Sequence, residues 1–171
     1  MQLVRRDASF KILACAPSNA AVDVLVERLG TAGLTVNQLL RLKAPSADTK
    51  NVPEDVRAFY AFPKPAKLRA YRVVLTTCSS AALLQILEIR AGHFSHIVID
   101  EAAQAEEPLA LIPIASFTNR YTNVILAGDP HQLGPVIMSG PASEAGLGKS
   151  YLGRLMLISK IYRPSTQAGN T

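Results

Sequence analysis

HIVIDEAAQ, residues 96–104, drives a short apolar run straight into two adjacent carboxylates, Asp100 and Glu101. The run shows no polar/apolar alternation, which marks a strand buried on both faces, as in a parallel sheet covered by helices. Three further runs have the same character: FKILACA at 10–16, RVVLTTC at 72–78 and NVILAGD at 123–129. Helix signals lie between them. Ser18 or Asn19 can cap a helix through AAVDVLVERLG, where Val22, Leu25, Val26 and Leu29 recur at helical spacing before Gly30 and Gly33. Ser79 or Ser80 precedes AALLQILEIRAG, apolar at the same spacing and again closed by Gly. Strand, polar turn and helix in alternation predict an α/β fold with a doubly wound, mainly parallel sheet, whose functional residues collect at the C-terminal ends of the strands.

Composition bounds the possibilities. The 171 residues suffice for one core, and 49% of them are apolar. A formal charge of +5 tolerates an anionic partner without requiring one. Cys15 and Cys78 each lie in an apolar stretch without close Cys or His neighbours, so reduced, buried thiols are expected rather than a zinc site. MQLVRRDASF lacks the apolar core of a signal peptide, and no run has the length of a membrane span. No membrane partner is expected, and the expected setting is the cytoplasm or nucleus. Residues 41–72 stand apart: Arg41, Lys43, Lys50, Arg57, Lys64, Lys67, Arg69 and Arg72 face three acids, and Pro45, Pro53, Pro63 and Pro65 interrupt any long helix. This segment is expected to be an insertion or long connection, a solvated basic loop in preference to a nucleic-acid surface. Phe59, Tyr60 and Phe62 are expected to cover a core edge in preference to stacking bases. His93, His96 and His131 are scattered and expected to be structural or exposed.

Each predicted strand ends in small or polar residues: APSN at 16–19, TTCSS at 76–80, DEAAQ at 100–104 and GDPHQLGP at 128–135. A carboxylate released at the end of a buried strand is how P-loop NTPases hold Mg²⁺, through metal-bound water beside the β- and γ-phosphates. On that pattern Asp100 holds the metal shell and Glu101 orients or deprotonates the attacking water. For an isolated Asp-Glu pair, an acidic helix N-terminus matching its dipole is the better explanation. DEAAQ followed by GDPHQLGP favours the nucleotide chemistry. There Gly128 permits a sharp turn, Pro130 stiffens it, and Gln132 offers an amide to a γ-phosphate or its water.

These stretches resemble the superfamily 1B helicases, and within them the RNA-silencing branch of plant silencing-defective and animal Armitage-type RNA helicases. The resemblance spans about residues 10–155 and is carried by ILACAPSNAAVDVLVERL (motif Ia), VVLTTCSSAALL (motif Ic), HFSHIVIDEAAQAEEP (motif II), VILAGDPHQLGPVI (motif III) and GLGKSYLGRL. It implies a RecA-like domain using ATP and Mg²⁺, 5′-to-3′ movement on single-stranded RNA, Argonaute-type partners and a cytoplasmic setting that includes ribonucleoprotein granules. By position it assigns Asp100 to Mg²⁺, Glu101 to catalysis, Gln104 to the end of motif II and Gln132 to γ-phosphate sensing. Pro17, Ser18 and Asn19, with Thr76 and Thr77, line the single-strand path. Hydroxyls, an amide and backbone N–H groups at a helix start suit phosphate contacts that read no base. For Ser18 and Asn19, helix capping is the plainer role, compatible with the other.

The departures are equally specific. The family's Gly-rich P-loop ending in Lys-Thr or Lys-Ser is not among these residues, so the RecA-like sheet is expected to be incomplete, lacking the P-loop strand and exposing its neighbours. SEAGLGKS at 143–150 has Ser143 where G-x-x-x-x-G-K-[ST] needs glycine and follows no strand. It is expected to be a loop, with Ser150 capping a short helix through YLGRLM. Gly153 replaces an acidic residue usual in relatives. Residues 1–155 are thus expected to form a partial first RecA-like domain, and 156–171 a divergent or truncated tail in which Arg163 has no catalytic assignment. The chain alone is expected to be inactive as a helicase; a truncated RNA- or protein-binding module is the alternative.

Overall fold

The computed structural model describes residues 2–44, 52, 54–129 and 131–158. Six strands form one sheet: β1 (Ile12–Ala16), β2 (Leu39–Leu42), β3 (Tyr60–Ala61), β4 (Val73–Thr77), β5 (His96–Ile99) and β6 (Asn123–Leu126). Their order is β3-β2-β4-β1-β5-β6, and every pairing is parallel. After a short helix α1 (Gln2–Arg6), the chain leaves β1 for β2 and β3 on one side, returns to β4 beside β1, then crosses to β5 and β6 on the other. All C-terminal strand ends therefore share one edge, and the reversal of direction falls around β1, where such sheets open a crevice. The parallel, doubly wound α/β architecture expected from the unalternating apolar runs is the one observed.

Helices cover both faces, which is why the strands could be apolar throughout. On one face Leu13, Cys15, Val74, Ile97 and Ile99 pack beneath Ala81, Leu84, Ala110 and Phe117. On the other, Ile12, Ala14, Val73 and Leu75 pack beneath Val22 and Val26 of α2 (Asn19–Thr31). Phe94 meets Phe117 edge-to-face, with centroids 6.0 Å apart and planes at 90°, an arrangement that adds to burial. Cys15 and Cys78 are free and buried. Burial pushes the Cys15 thiol well above its usual range and Cys78 to about 12.

Several local expectations change. Residues 41–72 are not an insertion into the sheet but part of it: the end of β2 and all of β3 lie here, with α3 (Glu54–Arg57) and α4 (Pro65–Leu68). A four-residue strand carrying a central arginine, LLRL, has too weak an apolar signature to be recognised. The described part of this segment includes a fully buried Arg41, and Pro45, Lys50 and Pro53 lie outside the described residues. Helix α2 meets its expected boundaries, with Ser18 Oγ accepting from Ala21 N at 3.2 Å. The second helix is shorter than expected, a 3-10 turn at Ser79–Ala82 continued by α5 (Leu83–Ile86). It closes on Glu88, at φ 57°, before any glycine. Helix α6 (Glu107–Phe117) follows motif II despite Pro113 within it. Ser150 caps α8 (Tyr151–Ile158), accepting from Gly153 N at 3.1 Å, so residues 156–158 continue a helix; 159–171, Arg163 included, lie outside the described residues.

No strand lies beyond β6 among the described residues. Val124 and Ile125 on that edge are each 40% exposed, and a cleft of about 450 Å³ opens between β6, α6 and α8, lined by Ile114, Val124, Leu126 and Leu155.

Candidate nucleotide and nucleic-acid site

Hydrogen bonds between neighbouring strand tips gather the motif residues along one edge. Asp100 N–H donates to Cys15 O at 2.8 Å, Ala127 N–H to Ile99 O at 2.8 Å, and Ala102 N–H to Ala127 O at 2.8 Å. Gly128 lies so close to the motif II turn that a Cβ there would stand 2.9 Å from Ala103 N and 3.0 Å from Ala102 N. The glycine of motif III is thus required by approach to motif II, not by φ. Cys78 N–H donates to Ala16 O at 3.0 Å, tying the tips of β4 and β1.

Asp100 and Glu101 diverge as soon as β5 ends. Asp100 borders a cleft of about 370 Å³ whose other walls, among them Ala14, Leu25 and Val98, are largely apolar. Glu101 adopts φ 52°, left-handed backbone that costs a non-glycine residue of order 1–2 kcal/mol. Gln104 Nε2 donates to Glu101 Oε2 at 3.1 Å, so the last residue of motif II orients the acid. Gln132 sits in a turn where His131 N–H donates to Asp129 Oδ1 at 2.9 Å and Gln132 Nε2 donates to Asp129 Oδ2 at 3.3 Å. Gln132 is exposed, and with its NH₂ engaged the amide oxygen is the group able to accept a water proton. Pro130, expected to stiffen this turn, lies outside the described residues.

Gln132 also lines a polar pocket of about 510 Å³ with Ala103, Ser143, Gly148, Lys149 and Ser150. SEAGLGKS, expected to be a loop, instead begins in the end of α7 (Gly140–Glu144) and turns thereafter, lying against motif III without forming a P-loop. Among the described residues no group of three or more His, Cys, Asp or Glu side chains converges. An ion held here by Asp100 would keep most of its shell as water and phosphate oxygen, which suits Mg²⁺, a hard cation that dehydrates reluctantly.

The nucleic-acid candidates divide. Ser18 and Asn19 are exposed and Pro17 is half-buried at the β1–α2 turn. Thr76 and Thr77 are not surface hydroxyls: they are 0% and 5% exposed. Thr77 Oγ1 accepts from Ser80 N at 3.1 Å, capping the 3-10 turn. Thr76 Oγ1 is buried without a partner. Strand tips that read as polar in sequence are here roofed by the following turn, so neither threonine is presented to a strand of RNA.

A polar network that the motifs did not reveal underlies Asn19. Arg41, in the centre of β2 and fully buried, donates from Nε to Asp23 Oδ1 at 2.7 Å, from Nη2 to Asn19 Oδ1 at 2.8 Å and from Nη1 to Leu42 O at 2.9 Å. Tyr60 donates its hydroxyl to Asp23 Oδ1 at 2.7 Å and its ring lies 5.4 Å from the guanidinium carbon. Burial, then the bond to Asp23, pushes the Tyr60 phenol up to about 12. The signal available in sequence was a lone arginine inside LLRL. The three histidines carry no site: His96 is buried with Nδ1 2.9 Å from Ser95 Oγ, and burial together with Lys11 and Arg69 holds His93 down at about 4.

The family model described as an AAA domain matches residues 2–61 and 36–140. The chain belongs to that family. Members similar to it include MOV-10 of Gallus gallus, 40% identical over 177 residues, and RNA helicase Mov10l1 of Homo sapiens, 40% identical over 148 residues. ATP-dependent helicase upf1 of Schizosaccharomyces pombe is 30% identical over 192 residues. These alignments cover 94%, 85% and 92% of this chain but only 18%, 12% and 20% of the relatives. The chain thus spans a fifth or less of their length. The resemblance read from motifs Ia, Ic, II and III agrees with these matches. Among solved structures, the C-terminal part of the Fun30 ATPase domain aligns with a TM-score of 0.44 at 13% identity, covering 74% of this chain and 36% of that one.

Proposed function

We propose that this chain is the motif Ia to motif III portion of the first RecA-like domain of an ATP-dependent RNA helicase. The observation that carries this is the meeting of DEAAQ and GDPHQ at one sheet edge, where Gly128 admits no side chain between them. Asp100 would hold Mg²⁺ through water, and the ion would neutralise charge developing on the β- and γ-phosphates. Glu101, steadied by Gln104, accepts the proton of an attacking water. Gln132, its NH₂ engaged by Asp129, turns its oxygen toward that water. The β1–α2 turn grips the phosphates of single-stranded RNA without reading bases. Such a motor moves 5′ to 3′ by opening and closing against a second domain, and the likeness to the silencing-type relatives supports a place in cytoplasmic RNA silencing, in ribonucleoprotein granules and beside Argonaute-type partners.

The 171 residues contain no G-x-x-x-x-G-K-[ST] stretch, so the chain by itself lacks the main source of phosphate-binding energy. Taken alone it binds RNA without nucleotide and hydrolyses ATP little or not at all. Two measurements test this. In a polypeptide that also carries a P-loop and second domain, Glu101→Gln should lower RNA-stimulated hydrolysis by about 10²-fold or more while RNA binding persists; unchanged hydrolysis refutes the assignment. In the 171-residue chain, RNA-stimulated hydrolysis abolished by the same substitution would show that it is a motor unaided.

A further inference from the structure

We infer that Arg41 is a positioning residue that fixes the polarity of Asn19, so that the β1–α2 turn offers the amide N–H groups of Asn19 to the phosphate oxygens of single-stranded RNA. This rests on the proposal that the turn touches nucleic acid. A guanidinium is costly to bury and offers only donors. Arg41 is 0% exposed in a strand whose other residues are all leucine, and it directs Nη2 at Asn19 Oδ1, 2.8 Å away. Only the carbonyl end of the amide can accept that bond, so the amide has one permitted orientation. Asn19 is exposed, and its NH₂ is consequently turned outward. Asp23, bound by both Arg41 Nε and the Tyr60 hydroxyl at 2.7 Å, locks the guanidinium in place. Ser18 complements this: its Oγ already accepts from Ala21 N at 3.2 Å, which leaves its own proton for an outside acceptor. Two successive side chains at the start of a 13-residue helix therefore present donors where the helix dipole is positive.

The test is a double-mutant cycle on the full chain, read as affinity for a fluorescent oligouridylate and, separately, as the melting midpoint. Asn19→Asp keeps an acceptor for Arg41, so the midpoint should hold or rise, while loss of the outward donors weakens RNA binding by about tenfold or more. Ala20→Asp adds the same charge one residue on and should weaken binding far less. Arg41→Gln should weaken binding several-fold in the native background and not at all once Asn19 is alanine, because the arginine acts through that amide. Equal effects of Arg41→Gln in both backgrounds, or RNA affinity unaffected by Asn19→Asp, would overturn the inference and leave the nucleic-acid contact standing. If Arg41→Gln fails to fold, the two aspartate variants decide alone. Absence of binding by the unaltered chain at low salt would remove the contact itself and the inference with it.

Discussion

Gly128→Ala is the sharpest perturbation of the site that leaves its chemistry untouched. Its Cβ would lie 2.9 Å from Ala103 N and 3.0 Å from Ala102 N, with Ala103 Cβ at 3.4 Å. Ordinary contact begins near that last distance, so the motif II turn and the motif III strand must separate by about half an ångström. Neither obstacle is a flexible side-chain end; both are backbone. The Ala102 N–H cannot retreat freely because it donates to Ala127 O at 2.8 Å. Overpacking of this kind costs about 2 kcal/mol, which at a urea slope of about 2 kcal/mol per molar moves the unfolding midpoint down by about 1 M. Gly140→Ala is the matched control, since nothing lies within 4 Å of its added methyl; it should be neutral or stabilise by about 0.5 kcal/mol. If the two variants melt alike, the contact between motifs II and III is looser than the Gly128 distances imply.

Thr76→Val should stabilise the chain by about 1 kcal/mol in the same assay, because it replaces a buried, unpartnered hydroxyl with a methyl; destabilisation would mean that the hydroxyl has a partner. His93 is held down at about 4, first by burial and then by Lys11 and Arg69. The unfolded chain takes up its proton at a higher pH than the native one, so stability is complete above about 6.5 and declines as pH falls toward 4. Replacing His93 with Gln should flatten that part of the stability profile, and an unchanged profile would refute the assignment. Cys15 and Cys78, both buried with raised pKa values, should resist a thiol reagent in the native state and react at the rate of unfolding; rapid labelling would show an open core.

The four wholly apolar runs, the capped helix after the first, and the collection of the motif residues at one edge were legible because each rests on a signal of several residues. Burial on both faces removes alternation, and Ser18, just past the end of such a run, caps the helix that begins at Asn19. The features that escaped were decided by tertiary contacts. Leu39–Leu42 is a strand through its pairing with β4 and β3, and it can bury Arg41 because α2 offers a carboxylate and an amide, which no local pattern announces. Glu101 and Gln132 stand at strand tips by type and spacing, and Thr76 and Thr77 share that polarity but are sealed beneath the turn they begin. Polar residues at a strand tip mark the right edge of the sheet without indicating which of them reach solvent.

The open side of β6 has a consequence for assembly. Backbone N–H and C=O groups along Asn123–Leu126 face outward there, beside two half-bare aliphatic side chains. Any strand that docks in parallel finishes level with the tips bearing Asp100 and Gly128. Sealing the hydrophobic rim and bringing a new loop to the acids are then a single geometric event, so thermal protection and ligand affinity should be gained together, by the same docking step.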